Sequence, residues 1–254
     1  MKKWIISAAF IFFLCSATAG FSHSLWVTAD NYHPAVGEKV TIEIGWGHGF
    51  AKKEAMRRGV FKRIYAVSPE GKRLTLDRID DVRFSFVPRS PGCYAVGAEI
   101  NPGFMTKTTR GRQMRSKKGL DNALNCMRFD IRAKAVIRAG APGRVQNSSV
   151  AHPLEIIPLE DVGSLKRGGS LGLMVTFNGR PLENARIIAD HEGGAGKGHG
   201  EGKASAVTDA KGRARITFPG KGRWILMVKH DTPYPDREVC DRFMHATSLG
   251  LGVE

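Results

Sequence analysis

Turn signals recur along this chain at intervals of one short strand, and that spacing constrains the fold more than any other feature. Ser68-Pro69-Glu70-Gly71 separates the β-forming runs 61–67 and 73–76, and Pro88-Arg89-Ser90-Pro91-Gly92 separates 83–87 from 93–100. Asn178-Gly179, a hairpin dipeptide, follows the run 170–177, and Asp209-Ala210-Lys211-Gly212 lies between 204–207 and 214–218. Runs 24–28, 39–44, 127–137, 152–159, 185–191, 224–230 and 243–253 complete the pattern. Helical periodicity is scarce: 51–58 suits a turn or two of helix, and 119–126 suits a short one. The expected fold is therefore all-β, with two β-sandwich domains over 23–139 and 152–254 and a linker over 140–151 around Pro142 and Gly143. About seven strands in about 95 residues give the second domain the size of an immunoglobulin-like sandwich.

Ahead of the first strand stands a different kind of segment. Lys2 and Lys3 precede an apolar run from Trp4 to Leu14, which gives way to the small residues of Cys15-Ser16-Ala17-Thr18-Ala19-Gly20. That order is the one a secretory signal peptide requires, and the run is well short of the roughly 20 apolar residues a membrane span needs. Residues 1–22 are expected to be the signal peptide and its cleavage region, and the mature protein is expected in the periplasm with no membrane span. Cleavage after Ala19, Gly20 or Ser22 satisfies the small-residue rule, leaving His23 as the fourth, third or first residue. The third and first positions each allow a chelate between the imidazole and the α-amine, with backbone amides in the former case.

Losing Lys2 and Lys3 takes the net charge from +15 to +13. Export argues against a nucleic-acid partner, and the basic residues are spread along the chain except between 107 and 118. In that stretch Lys107, Arg110, Arg112, Arg115, Lys117 and Lys118 accompany Thr106, Thr108 and Thr109, a set that offers charge and hydroxyl donors to an anionic envelope component. A solvated basic loop is the ordinary alternative. Cys93, Cys126 and Cys240 survive processing, and an oxidising compartment favours one disulfide and one remaining thiol. Cys93 sits in a strand-like run where any small apolar residue would serve, so the preferred pair is Cys126 with Cys240.

Three phrases in the second half, Asn178-Gly179-Arg180-Pro181-Leu182, Thr208-Asp209-Ala210-Lys211-Gly212 and Pro219-Gly220-Lys221-Gly222-Arg223-Trp224, resemble the transthyretin-like, carboxypeptidase-regulatory type of sandwich. The whole mature chain resembles the domain family of unknown function numbered 4198. The matching segments are His23-Ser24-Leu25-Trp26, Gly45-Trp46-Gly47-His48-Gly49-Phe50, Pro102-Gly103-Phe104-Met105, Ser116-Lys117-Lys118-Gly119, His152-Pro153-Leu154-Glu155-Ile156 and Pro233-Tyr234-Pro235-Asp236. Met105 departs from the larger aromatic residue the resemblance leads one to expect. Members of that family are often labelled periplasmic components of cobalt or nickel uptake, so the resemblance implies a non-catalytic metal-binding accessory protein that works with a membrane uptake complex.

Metal donors are available for such a role. His23 lies at the mature start and His48 between two glycines, and neutral imidazole suits nickel and cobalt, or copper as the alternative. A second candidate set is His191 with His199, flanked by Asp190, Glu192 and Glu201 around a glycine-rich loop. A hairpin-tip histidine and a hydrophilic loop are the ordinary readings of the two sets. No His-Glu-x-x-His, phosphate loop or Cys-x-x-Cys occurs, and the expectation is that the protein is not an enzyme. The alternative function is a cell-envelope module that binds an anionic glycan, peptide or partner protein through the basic stretch.

Overall fold

The structure, a computed structural model, describes residues 23–56, 59–141, 148–192 and 203–254. The expected signal segment, residues 142–147 of the linker, and the glycine-rich stretch 193–202 with His199 and Glu201 lie outside the described residues. The first half contains β1 (Ser24–Ala29), β2 (Val40–Gly47), β3 (Phe61–Val67), β4 (Arg73–Leu74), β5 (Asp77–Arg78), β6 (Arg83–Phe86), β7 (Gly92–Ile100), β8 (Gly103–Thr108), β9 (Gly111–Gln113) and the 17-residue β10 (Ala123–Ala139). The second half contains β11 (Leu154–Pro158), β12 (Ser170–Phe177), β13 (Arg180–Pro181), β14 (Arg186–His191), β15 (Lys203–Val207), β16 (Arg213–Thr217), β17 (Gly222–Pro233) and β18 (Arg242–Val253). The protein is all-β, and its helical elements include the short 3-10 turns Phe50–Lys52 and Val162–Ser164.

These strands form three sheets. One has the order β1-β2-β6-β5, another centres on β12 with β11, β13 and β16 beside it, and the ten-stranded third runs β15-β14-β17-β18-β10-β7-β3-β4 with β8 and β9 attached to β10. The large sheet faces both small ones. Inward residues of β1, β2 and β6, including Leu25, Val27, Ile42, Ile44 and Phe84, pack on Tyr94, Val96, Ile131 and Ile137. Those of β11, β12 and β16, including Ile156, Leu173, Val175 and Ile216, pack on Ile187, Trp224, Leu226 and Leu251. Period-2 alternation explains the strand faces, as in β2, where Val40, Ile42 and Ile44 are buried while Thr41 and Glu43 are only partly covered. The chain thus has two sandwich cores, and each draws on both sides of the expected linker 140–151: Met244 and Ala246 line the first, Cys93 and Val136 the second. The backbone ladder crosses between the halves as well, because β18 pairs parallel with β10 from Met127↔Arg242 to Ala135↔Gly250 and antiparallel with β17 on its other edge.

Two local expectations need correcting. Residues 119–126 form no helix: Leu120 N–H bonds Lys117 O at 3.0 Å in a turn, and β10 begins at Ala123. Pairing of this segment with β8, and the disulfide between Cys126 and Cys240 with Cα atoms 4.9 Å apart, outweigh the local helical preference. Residues 50–52 make a single 3-10 turn in place of the longer helix read over 51–58, because His48 N–H donates back to Lys52 O and Gly47 bridges Lys53.

Buried polar groups fasten the described end of the linker to the large sheet at β10 and β3. The Lys134 ammonium lies 2.7 Å from Glu155 Oε1 and donates to Ser148 O, while Glu155 also accepts from Ser149 Oγ and Val150 N–H. Burial pulls the Lys134 amine below its usual range and Glu155 opposes that shift. Beside this pair, His152 Nε2 is 3.0 Å from Tyr65 Oη, and Tyr65 donates to Glu99 Oε1 at 3.3 Å. That order makes Nε2 the donor and leaves Nδ1, which has no partner, as a bare lone pair.

Burial, with Lys134, Arg132, Arg63 and Arg73 nearby, pushes the His152 imidazole down to about 2. Its folded value thus lies below the ordinary value of about 6.5, so beneath about pH 6.5 the unfolded chain takes up a proton that the folded chain refuses. Stability from this residue is intact above that pH and falls on the order of 1.4 kcal/mol per pH unit below it. His152→Gln keeps a donor for Tyr65 without an imidazole. Denaturant midpoints between pH 7 and 4.5 should decline less steeply in that variant, and superimposable profiles would show that another group sets the acid sensitivity.

Candidate metal centre

The β1–β2 ladder places the first two donors. Ser24 pairs with Gly47, so His23, just before β1, and His48, just after β2, emerge at the same end of one hairpin. Their ring centroids are 4.5 Å apart, and the His23 ring stacks on Trp46 at 5.4 Å with 21° between planes. The chain then turns back through 50–52, and Glu54 N–H donates to Trp46 O at 2.7 Å, which carries the Glu54 side chain to the two imidazoles. His23 Nε2 is 2.7 Å from Glu54 Oε2 and His48 Nε2 is 4.0 Å from Oε1. One ligand atom from each of the three residues lies within 4.8 Å of the other two.

This loop is tied to the second half of the chain. Asp190, buried on β14, accepts the Phe50 N–H at 3.0 Å through Oδ2 and its own neighbour His191 N–H at 3.1 Å through Oδ1. Gly49 makes that approach possible, since its φ is +76° and a Cβ there would stand 2.2 Å from Asp190 Oδ2. Underneath, Trp26 and Phe50 meet at 6.0 Å and pack with Ile225, Met227 and Ile188. The loop bearing His48 thus rests on an apolar floor and is held by a charge-assisted hydrogen bond.

Two imidazoles and a carboxylate form a borderline donor set that suits cobalt, nickel, copper or zinc, and three protein donors leave coordination positions open. The side chains of His23, His48 and Glu54 are 35%, 40% and 33% exposed, so an ion there is reachable from solvent. Sequence reading found the two histidines and missed Glu54. It stands six positions after His48 inside the stretch read as helical, and only the turn at 50–52 brings it back.

The other expected residues are distributed differently. His191 stacks on Trp224 at 4.6 Å with its Nε2 2.5 Å from Lys221 O, packed over Gly220, which commits the ring to the second sandwich. Its expected partner His199 lies outside the described residues. Lys107, Arg110 and Arg112 are exposed on the β8–β9 hairpin, and Arg115 and Lys118 just beyond it, with Arg115 Nη2 donating to Lys118 O at 2.9 Å. Lys117 stands apart: its ammonium is 2.5 Å from Asp241 Oδ1, and Asp241 also accepts Cys126 N–H, so it braces the disulfide. Cys93 is buried on β7 with Arg138 Nη1 3.7 Å from its sulfur.

Glu54→Gln keeps the side-chain volume and removes the anionic donor. It should weaken divalent-ion binding about tenfold or more, equivalent to about 1.4 kcal/mol, with thermal unfolding of the ion-free protein little changed. Asp190→Ala, which releases the His48 loop, should weaken binding by a smaller factor, and calorimetric titration of both variants checks the ranking.

Among curated proteins none matches the sequence. Solved structures it is similar to include the D0–D1 domain of intimin (12% identity, 89% of this chain and 97% of that one, TM-score 0.24). Others are a DUF4785 family protein from Legionella pneumophila (10%, 80% and 51%, TM-score 0.25) and murine CEACAM1b (9%, 91% and 99%, TM-score 0.23). Scores at this level transfer nothing from those proteins. A family model described as "Domain of unknown function (DUF4198)" matches residues 20–232, and the chain therefore belongs to the DUF4198 family.

Proposed function

We propose that this chain is an exported, non-catalytic binding protein that takes up a divalent transition-metal ion, nickel or cobalt with copper as the alternative, and passes it to membrane uptake machinery from the periplasmic side. The observation that carries this reading is the convergence of His23, His48 and Glu54, three donors brought within 4.8 Å from separate parts of the sequence. Solvent access and open coordination positions suit an ion that is cargo and must leave again. Removal of a signal peptide over 1–22 would add the α-amine of His23 as a further donor if cleavage follows Ser22, and amide donors with a third-position histidine if it follows Gly20. Among the described residues no helix is long and apolar enough to cross a membrane.

Native mass spectrometry of the protein exported and processed in a bacterial host tests the reading, since one intact mass reports the mature end and any retained ion. One equivalent of nickel or cobalt, held more tightly than about micromolar and lost in the His23→Ala, His48→Ala double variant, is the expected result. A processed protein that neither retains nor titrates any such ion at that level overturns it.

The exposed Lys107, Arg110, Arg112, Arg115 and Lys118 favour a second reading, an envelope module that holds an anionic glycan, peptide or partner protein. Retention on anionic envelope fractions should then fall with salt and vanish when Arg110, Arg112 and Arg115 are changed to glutamine. Retention that survives those changes removes this reading.

A further inference from the structure

The outer face of β14 carries a second set of groups next to the metal cluster. Arg186, Ile188 and Asp190 alternate along the strand and so share one face. Ile188 lies opposite Ser205 of β15 on one side and Met227 of β17 on the other. Over this face sits the loop that Asp190 holds through Phe50 N–H, and between loop and sheet is a cavity of about 360 Å³ lined by His48, Arg186, Asp190, Ser205, Ile188 and Met227, among others. Its volume falls at the small end of ligand sites, which run from about 300 to 1,000 Å³.

The composition of the lining is directional. Ile188 and Met227 make an apolar floor, His48 connects the cavity to the metal donors, and Arg186 lies four residues along β14 from Asp190, about 13 Å at strand rise. Arg186 is exposed and makes no ion pair with a described residue, whereas Asp190 has both carboxylate oxygens engaged by backbone N–H groups. With an ion in place, its two positive charges and Arg186 exceed Glu54 and Asp190 by one. A guanidinium is a fork suited to a carboxylate, and a metal with only three protein donors accepts carboxylate or hydroxyl oxygen in the positions left open.

We infer that the cavity beside His48 holds a small polycarboxylate chelator that arrives with the metal ion, one of its carboxylates on Arg186 and its other oxygens on the ion. This rests on the metal-binding reading and specifies its cargo as a chelate in preference to the bare ion. The chelator fills coordination positions that the protein leaves open, and no bond other than coordination and hydrogen bonds is made.

Calorimetric titration of the processed, full-length protein with nickel alone and with nickel plus equimolar citrate or malate tests this. In the wild type at least one of the two acids should raise apparent nickel affinity about tenfold or more, as a ternary complex visible in the intact mass. Arg186→Gln should remove that gain while binding bare nickel as the wild type does, and Ser205→Phe, which intrudes on the cavity lining, should do the same. Both positions are at the surface, and unchanged thermal unfolding confirms that the variants fold. Nickel binding that both acids merely compete away, equally in wild type and Arg186→Gln, overturns the chelate inference and leaves the metal site standing. An absence of nickel binding under every condition overturns both.

Discussion

Every other feature of this fold depends on the placement of β18. Its residues Arg242–Val253 bond in parallel to β10 on one edge and antiparallel to β17 on the other, so the last strand of the chain joins a ladder begun in the first half to one built entirely in the second. Where a strand is paired and covered on all sides, apolar and small residues are favoured. Ala246, Leu249, Gly250, Leu251, Gly252 and Val253 meet that demand and are buried, whereas Arg242 at the start of the strand is exposed. Gly250 shows how close the covering is: a Cβ there would stand 2.0 Å from Val27 O of β1, and Ser248 Oγ donates to Leu25 O at 2.7 Å. The first strand is thereby laid across the last one, and the disulfide between Cys126 and Cys240 secures the neighbouring start of the same parallel pair.

That arrangement is what positions the candidate donors. β1 is fully buried, with β2 bonded beside it and β18 behind it. His23 is the first residue outside this hold, and His48 leaves β2 at the paired end. Asp190 then extends the constraint across the sheet, so the donor loop is positioned from two sides by elements far apart in sequence. The donors stand on strand ends and a pinned turn, which preserves a shared geometry better than a free loop would.

Local chemistry explains which parts were readable from sequence. Asn178 and Gly179 both take positive φ, 50° and 75°, as a two-residue hairpin demands, and Phe177 pairs with Arg180 across it as the dipeptide implies. The run 170–177 became β12 without a shift, because its alternation and its flanking turn agree. Residues 119–126 misled because what makes them a turn and a strand is non-local: the edge of β8, a cysteine 114 positions away and Asp241 beside it. Glu54 was invisible for the same reason, since nothing in Lys53-Glu54-Ala55 announces that its backbone folds back on Trp46. The ladder from β10 to β18 carries no motif: small and apolar residues alternate there with Arg128, Asp130, Arg132, Lys134 and His245, and nothing in that mixture names the partner strand.

Exposure and constraint pull in different directions at the metal cluster, and their balance bears on what the site is for. A structural metal is enclosed and saturated by its ligands, and its release would unfold its surroundings. Here the scaffold is complete without an ion: Trp26, Phe50, Ile188 and Met227 pack beneath the loop, and Asp190 bonds it through backbone alone. His23 and Glu54 are already in contact at 2.7 Å, so each has an internal partner without an ion, and release of an ion would require no rearrangement of the fold. An ion entering must displace that contact, which lowers net affinity but spares the fold. A preformed, half-exposed, incompletely coordinating site on a rigid base would bind and release an ion by exchange of its outer ligands, which is the behaviour the proposed carrier role requires and a structural zinc site does not.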